Sequence, residues 1–268
     1  MAIAALNSAA TGLRALSTKI DVIANNLANA ETNGFKGSRA NFEDLMYSTI
    51  RNPGATNSTG DITPAGLQIG HGVRVSNTQI DFAQGPMENT DRQLDVAING
   101  QGLFRVKIID SVGDGTAYTR NGNFFQNNEG DLVLGSKEGP RLIPQITIPD
   151  NTININVADD GTVEAVGSDN TTTPVGRLEL VRFINAEGLK TMGGNLFLET
   201  PASGAPITGN PKDSGFGDVQ QGFLEGSNVD PTKELVGLIK TQRSFELNSQ
   251  SIQTADQALQ TVANLRRG

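Results

Sequence analysis

The sequence contains no cysteine, no tryptophan, a single histidine and only 5% aromatic residues. The missing cysteines exclude disulfides, thiolate zinc sites and cysteine nucleophiles together, and leave the fold indifferent to the redox state of its compartment. With His71 alone, a Ser-His-Asp triad and a histidine-based metal site both lack the residues they require, and His71 in its glycine-rich setting reads as an exposed loop residue without a role. No apolar run approaches the ~20 residues needed to cross a bilayer as a helix. The start, Met1-Ala2-Ile3-Ala4-Ala5-Leu6, lacks the charged and unbroken apolar regions of a cleavable signal peptide, so any route out of the cytoplasm is expected to use another exporter. Basic stripes are also absent. Lysine and arginine number 21 against 29 acidic residues, a net charge of -8, which argues against nucleic acid as a partner and serves solubility.

What is present points to short strands and turns flanked by helices. The 268 residues include 31 glycines and 36% hydrophobic residues, which suits an all-β body better than a large α/β enzyme core. At the N-terminal end Leu6, Leu13, Ile20 and Leu27 recur every seventh place, with Ala9, Leu16 and Ile23 between them. This is the a/d seam of a coiled coil, and the opposite face is polar, so the helix needs a partner to cover its stripe. At the other end Leu238, Phe245, Ile252 and Leu259 repeat the heptad, flanked by Leu235, Ala255 and Val262. Asp230-Pro231 is an N-cap and N1 pair that starts this helix near residue 231. The two ends are expected to pair either with each other or with copies from neighbouring subunits; periodicity admits both.

Between the ends, Thr32-Asn33-Gly34-Phe35 carries a helix-stop signal, and Phe42-Glu43-Asp44-Leu45-Met46 reads as a short amphipathic continuation of the helical region. Residues 51–72 hold Pro53, Gly54, Gly60, Pro64, Gly66, Gly70 and Gly72 and read as an extended loop. From 73 to about 226, β-rich runs such as Leu94–Ile98, Leu103–Ile108, Leu132–Leu134, Ile153–Val157 and Arg177–Phe183 alternate with turn signals at Asn99-Gly100, Asn121-Gly122, Glu129-Gly130 and Asp160-Gly161. The expected fold is mixed α and β: a terminal helical domain (1–46 and 227–268) paired as a coiled coil, an extended linker (47–72), and an inserted all-β body (73–226).

Candidate chemistry is sparse. Gly100-Gln101-Gly102 lacks the third glycine of a dinucleotide fingerprint and reads as strand-turn-strand. Asp110–Gly115 lacks the alternating ligands and closing glutamate of a calcium loop, and Asp159-Asp160-Gly161-Thr162 reads as a hairpin tip. Asp91 with Asp95 could in principle serve as acid and base, though surface acids are far commoner. No catalytic, cofactor or metal site is assigned.

The run Ala24-Asn25-Asn26-Leu27-Ala28-Asn29, followed by Thr32, Gly34, Phe35 and Lys36, resembles the signature of the flagellar basal-body rod and hook family. Leu94–Gly102, Tyr118–Phe124, Leu224–Val229 and Gln242–Ser249 resemble further segments of that family, so the likeness covers nearly the whole chain. Phe42–Tyr47, Thr49–Gly54 and Gly66–Gly70 look like the extra segment of its distal-rod members. Asn7, Leu103-Phe104 and Phe245 depart from the aromatic residues that the family often has at these places. The resemblance implies a structural subunit of the distal rod that self-assembles helically into a rigid drive shaft, binds no cofactor, contacts proximal-rod and hook proteins and the surrounding bushing rings, and spans the periplasm. It implies that the extra segment packs on neighbours and opposes bending. Ends that lack any cover in the monomer are expected to become helical on polymerisation. Alternatives are a proximal-rod or hook relative, a secreted β-rich adhesin with a helical stalk, or a carbohydrate-active β enzyme.

Overall fold

The computed structural model of the protein describes residues 2–54, 64–108 and 114–265. The centre of the expected loop (55–63), residues 110–113 of the Asp110–Gly115 turn and the side chain of Val262 lie outside the described residues. The chain divides into two compact units, one made of Met1–Ala28, Ser38–Ile80 and Asp230–Gly268, the other of Asn29–Gly37 and Asp81–Val229.

The first unit holds the two helices. Helix α1 (Ala2–Ala28) is alanine-rich and interrupted only by Gly12, so propensity favours it throughout. Helix α2 (Pro231–Leu265) begins at the expected proline, where Asp230 Oδ1 accepts from the backbone amides of Thr232 and Lys233 at 3.0 and 3.2 Å. These bonds also hold the Asp230 carboxyl below its ordinary pKa. The stop at Asn33-Gly34 falls later than the observed end of α1 at Ala28; residues 29–34 form turns in which the Thr32 amide donates to Asn29 O.

Phe42–Met46 is not helical. Strand Ser38–Asp44 pairs antiparallel with Val73–Ile80, with a bulge at Asn41/Phe42. Five residues cannot meet the cost of nucleating a helix, whereas the partner strand satisfies the backbone directly. Val73–Ile80, assigned by the sequence to the body, thus belongs to the helical unit. It sits on α1 at Gly72 (φ +111), where a Cβ would meet Thr11 Oγ1, and the Val73 amide donates to that hydroxyl at 3.3 Å. The expected linker contains a hairpin: Tyr47–Arg51 pairs with Leu67–Gly70, and every residue of Tyr47–Arg51 is exposed.

The second unit is the β body. Its largest sheet is nine-stranded, centred on Leu103–Lys107, which pairs with Thr116–Thr119, Arg141–Ile143 and Leu180–Arg182. A three-stranded meander (Thr152–Val157, Thr162–Gly167, Thr172–Arg177) joins the same apolar core, in which Phe104 and Phe124 meet edge to face at 5.2 Å beside Ile98, Val106 and Leu180. Asp159-Asp160 is the hairpin tip that the sequence predicts. Arg177–Phe183 is not one strand: Leu178-Glu179 break it, and the two halves join different sheets. The expected turns at Asn99-Gly100 and Asn121-Gly122 are not formed as hairpin turns: a bend at Gly100 follows Val96–Asn99, which pairs with Asp218–Gln221, and Asn121-Gly122 is irregular chain before Phe124–Gln126, which pairs with Leu132–Leu134.

Candidate functional site

Two constructions stand out, one in each unit. In the helical unit α1 and α2 pack on each other. A Cβ on Gly12 would lie 3.1 Å from Asn248 Nδ2, one on Gly237 would lie 3.7 Å from Ile23 Cδ1, and Asn26 Nδ2 donates to Glu234 Oε1 at 3.1 Å. As the α1 member advances the α2 member recedes residue for residue, so the pair is antiparallel. Small residues at the crossing let the backbones approach, and the most buried positions are accordingly Ala15, Ile23, Asn26 and Thr241. Thr241 satisfies its hydroxyl on Gly237 O at 2.8 Å.

The expected seam is only partly used inside the chain. Ile23 is buried, while Leu6, Leu13, Leu16, Ile20, Leu27, Leu238, Ile252 and Leu259 are half-buried and Phe245 is exposed. Apolar residues of α2 continue round to the solvent side: Leu235, Val236, Ile239 and Leu247 are 46%, 46%, 53% and 64% exposed. Ala24 and Ala28 also lie on an exposed face of α1, away from the close crossing for which their size would suit them.

In the body the rest of the asparagine-rich motif is fixed by a buried charge cluster. Thr32 Oγ1 donates to Asn29 Oδ1 at 3.2 Å, and the half-buried Phe35 donates its amide to Thr32 O. Gly34 (φ +70) stands so close to the neighbouring chain that a Cβ would be 2.7 Å from Asn121 N, and its amide donates to Glu225 O at 2.7 Å. Its glycine is required by this approach, since α1 has already ended. Lys36 then reaches Glu225 Oε1 and donates to Ala83 O at 2.7 Å. The other Glu225 oxygen takes Arg120 Nε, whose remaining nitrogens donate to Ile98 O, Gly100 O and Gly102 O. Side-chain exposures of 1%, 0% and 5% for Lys36, Glu225 and Arg120 place all three charges out of reach of bulk solvent.

Burial pushes the Glu225 carboxyl up, but Arg120 and Lys36 together outweigh it and hold it below the usual range. Burial draws Lys36 down despite the opposing pull of Glu225, and Arg120 adds to the fall. The two shifts differ in sense because one carboxylate faces two cations: Glu225 is firmly ionised, and Lys36 is the weaker partner. Asn228 completes the cluster, accepting from Gly37 N at 2.8 Å and donating to Asp81 O and Ala83 O.

The motif residues are thus divided. Asn26 and Leu27 serve the helical unit, Asn29, Thr32, Gly34, Phe35 and Lys36 the body, and Asn25 is exposed. Sequence reasoning missed Arg120, Glu225, Glu234 and Thr241 as structural keys. No local signal marked Glu225: side chains alternate between the faces of a strand, so a glutamate directly after Phe223-Leu224 reads from the sequence as an outward charge. His71 is exposed, and among the described residues no group of three potential metal ligands converges. Asp95 is buried against Arg92 at 3.6 Å while Asp91 is exposed, an arrangement that makes no acid-base pair. A cleft of about 850 Å³ in the body has Leu103, Val181 and Phe183 among its lining.

Comparison with known proteins gives concordant matches. Residues 6–36 match the family described as "Flagella basal body rod protein", residues 97–165 the "Flagellar hook protein FlgE/F/G D1 domain" and residues 220–265 the "Flagellar basal body rod FlgEFG protein C-terminal". The chain is 48% identical to the flagellar basal-body rod protein FlgG of Buchnera aphidicola subsp. Acyrthosiphon pisum, over 95% of this chain and 96% of that one. It is 44% identical to the protein of the same name from Agrobacterium fabrum, over 97% and 98%, and 39% identical to that of Bacillus subtilis, over 98% of each. The crystal structure of the Helicobacter pylori flagellar hook protein FlgE2 overlaps 70% of this chain and 56% of that one at 14% identity, with a TM-score of 0.24 that carries no argument.

Proposed function

The chain belongs to the flagellar basal-body rod protein family and is a structural, self-assembling subunit of the rod, not an enzyme; on that premise we propose that it builds the distal segment through its terminal helices. The observation that carries this reading is the apolar residue set on both sides of α2. One side covers α1, and the other, with Leu235, Val236, Ile239 and Leu247, is left to solvent in the single chain. A helix apolar on two sides is built for two sets of contacts, and in a homopolymer the second set comes from neighbouring copies, extending the helix pair into a coiled-coil core. Such a tube would act as a straight drive shaft between motor and hook, meeting proximal-rod proteins below, hook proteins above and the bushing rings around it. It would cross the periplasm after export through the flagellar channel. No described helix is long and apolar enough to cross a membrane.

Electron microscopy of basal bodies with and without the gene tests the assignment. Rods that stop short, lacking the distal segment and hook, are expected. Complete rods with an altered hook would move the subunit to another axial segment, and wholly normal flagella would refute the reading. The hairpin Tyr47–Arg51/Leu67–Gly70 is proposed to stiffen the shaft, since a two-stranded sheet whose first strand is exposed at every residue needs cover from elsewhere. Deleting residues 48–66 should therefore give rods that bend; rods as straight and stiff as before would remove this role.

A further inference from the structure

The helix pair has two outer faces, one on each helix. On α2, the exposed Leu235, Val236, Ile239 and Leu247, with Arg243 and Glu246 among them, fall within about 75° of the direction opposite Glu234, Gly237 and Asn248, which meet α1. On α1, the exposed Arg14, Ser17, Asp21, Ala24 and Ala28 fall within about 55° of the direction opposite Gly12, Ile23 and Asn26, which meet α2. Each face points away from the partner helix, so the two lie on opposite sides of one pair and neither can cover the other within a chain.

The charges on these faces are complementary in one orientation only. Among the described residues the one ion pair made by a residue of either helix joins Lys233 to Asp230, which leaves Arg14, Asp21, Arg243 and Glu246 unpaired in the single chain. Laid antiparallel with Glu246 opposite Arg14, the α2 of a second copy brings Ile239 opposite Asp21, with Lys240 beside it and Arg243 one turn away. The same setting places Val236 over Ala24, whose small side chain lets the backbones approach. Laid parallel, each ion pair excludes the other: with Arg14 at Glu246, Asp21 falls on Gln253, and with Asp21 at Arg243, Arg14 falls on Val236. Complementary charges at an interface fix orientation and register more than they add affinity. The antiparallel setting also repeats the stagger inside the chain, since Arg14 stands two residues after Gly12 and Glu246 two before Asn248.

We infer that the outer face of α2 docks antiparallel on the outer face of α1 of a second copy, with Arg14 set against Glu246 and Asp21 against Arg243 and Lys240. This rests on the reading that neighbouring copies cover α2, and it adds which surface covers it and in which direction. Because the two faces differ and lie on opposite sides of the pair, the contact is heterologous. Each docked copy presents a fresh α1 face on one side and a fresh α2 face on the other, so association does not stop at a dimer: it propagates until it closes a ring or winds into a helix.

The chain has no cysteine, so introduced pairs read the contact directly. Ala24→Cys in one chain and Val236→Cys in another, made in the same cell, should give a disulfide dimer on mild oxidation of isolated rods. Ser17→Cys with Val236→Cys, seven residues out of stagger, should give none, because the two Cα atoms would stand too far apart to be bridged. Ala28→Cys with Thr232→Cys, one turn along in the same setting, is the second pair should the first not enter rods; if neither enters, the same oxidation is run on the purified chains at high concentration. Arg14→Glu should lower the dimer yield about fivefold, and adding Glu246→Arg should restore it, a rescue that chance collision of exposed thiols would not show. Ile239→Asp, a change at a half-exposed position, separates the two readings. If rods form normally with it, the assembly reading falls and the inference with it. If it stops assembly in a chain that melts like the parent, yet neither cysteine pair gives dimers, α2 is covered by some other surface and the inference alone is refuted.

Discussion

Replacing Glu225 by glutamine should destabilise the body by about 3–5 kcal/mol, the usual consequence of removing one partner from a buried ion pair. The substitution keeps the shape and changes the charge. Lys36 and Arg120 would then face each other's field with side-chain exposures of 1% and 5% and no anion between them. The amide could still accept from Gly85 N, which now donates to Glu225 Oε1 at 2.9 Å, but its NH2 would meet Arg120 Nε donor to donor. In a chain of this length the melting temperature should fall by roughly 6–20 °C. Lys36→Met should cost less, since Glu225 retains Arg120 and the lysine's charge is already disfavoured by burial. Unfolding curves of the purified chain at neutral pH decide the matter; a glutamine variant within 1 kcal/mol of the parent, taking ~1 as the scale of an ordinary substitution, would show that the cluster is not what holds residues 29–37 to the body.

The same cluster sets an acid limit. The folded Glu225 pKa lies below its unfolded value of about 4.3, so its contribution is complete above that value and fades as pH falls through the folded pKa. The stability gap between parent and Glu225→Gln should narrow over that window, whereas a gap independent of pH would exclude the charge as its cause. At the alkaline end Lys36 acts in the same direction. Its folded pKa is lowered, so the folded chain releases this proton first and stability from this group rises with pH between the folded value and about 10.4.

Local signals in the sequence were sufficient for the element boundaries that depend on local chemistry. Asp230-Pro231 marked the first residue of α2 because cap and ring act on neighbouring backbone, and the hairpin tip at Asp160-Gly161 was legible for the same reason. Sheet partners were not legible. Val96–Asn99 pairs with Asp218–Gln221, and nothing in either strand encodes a partner so remote. The heptads identified the helices but not the positions buried between them within the chain, because counting large apolar residues overlooks an interface closed by Gly12, Ala15, Gly237 and the polar Asn26 and Thr241. Lys36, Arg120 and Glu225 each stood inside a segment resembling the family. Their convergence on one carboxylate is a property of the fold alone, since three charges separated in sequence carry no mark of burial.

Gly34→Ala is the substitution expected to harm the motif most without altering charge. Two costs combine. At φ +70 an alanine is in the left-handed region, which disfavours a Cβ by about 1–2 kcal/mol. That Cβ would also stand 2.7 Å from Asn121 N and 2.9 Å from Asn121 Cα; these are backbone atoms, which cannot rotate aside, and overpacking of this kind adds about 1–3 kcal/mol. The relief available is for residues 33–35 to lift away, which would break the Gly34 amide bond to Glu225 O and loosen Lys36 beside it. The expected total is about 2–5 kcal/mol, with hydrogen exchange accelerated at the amides of 34–37 ahead of the core strand Leu103–Lys107. Gly54→Ala supplies the control, because that glycine has a similar φ of +80 but nothing within 4 Å of its Cβ position; it should show the conformational cost alone. Equal losses at the two sites would mean that the approach to Asn121 contributes nothing and that Gly34 is required for its backbone angle only.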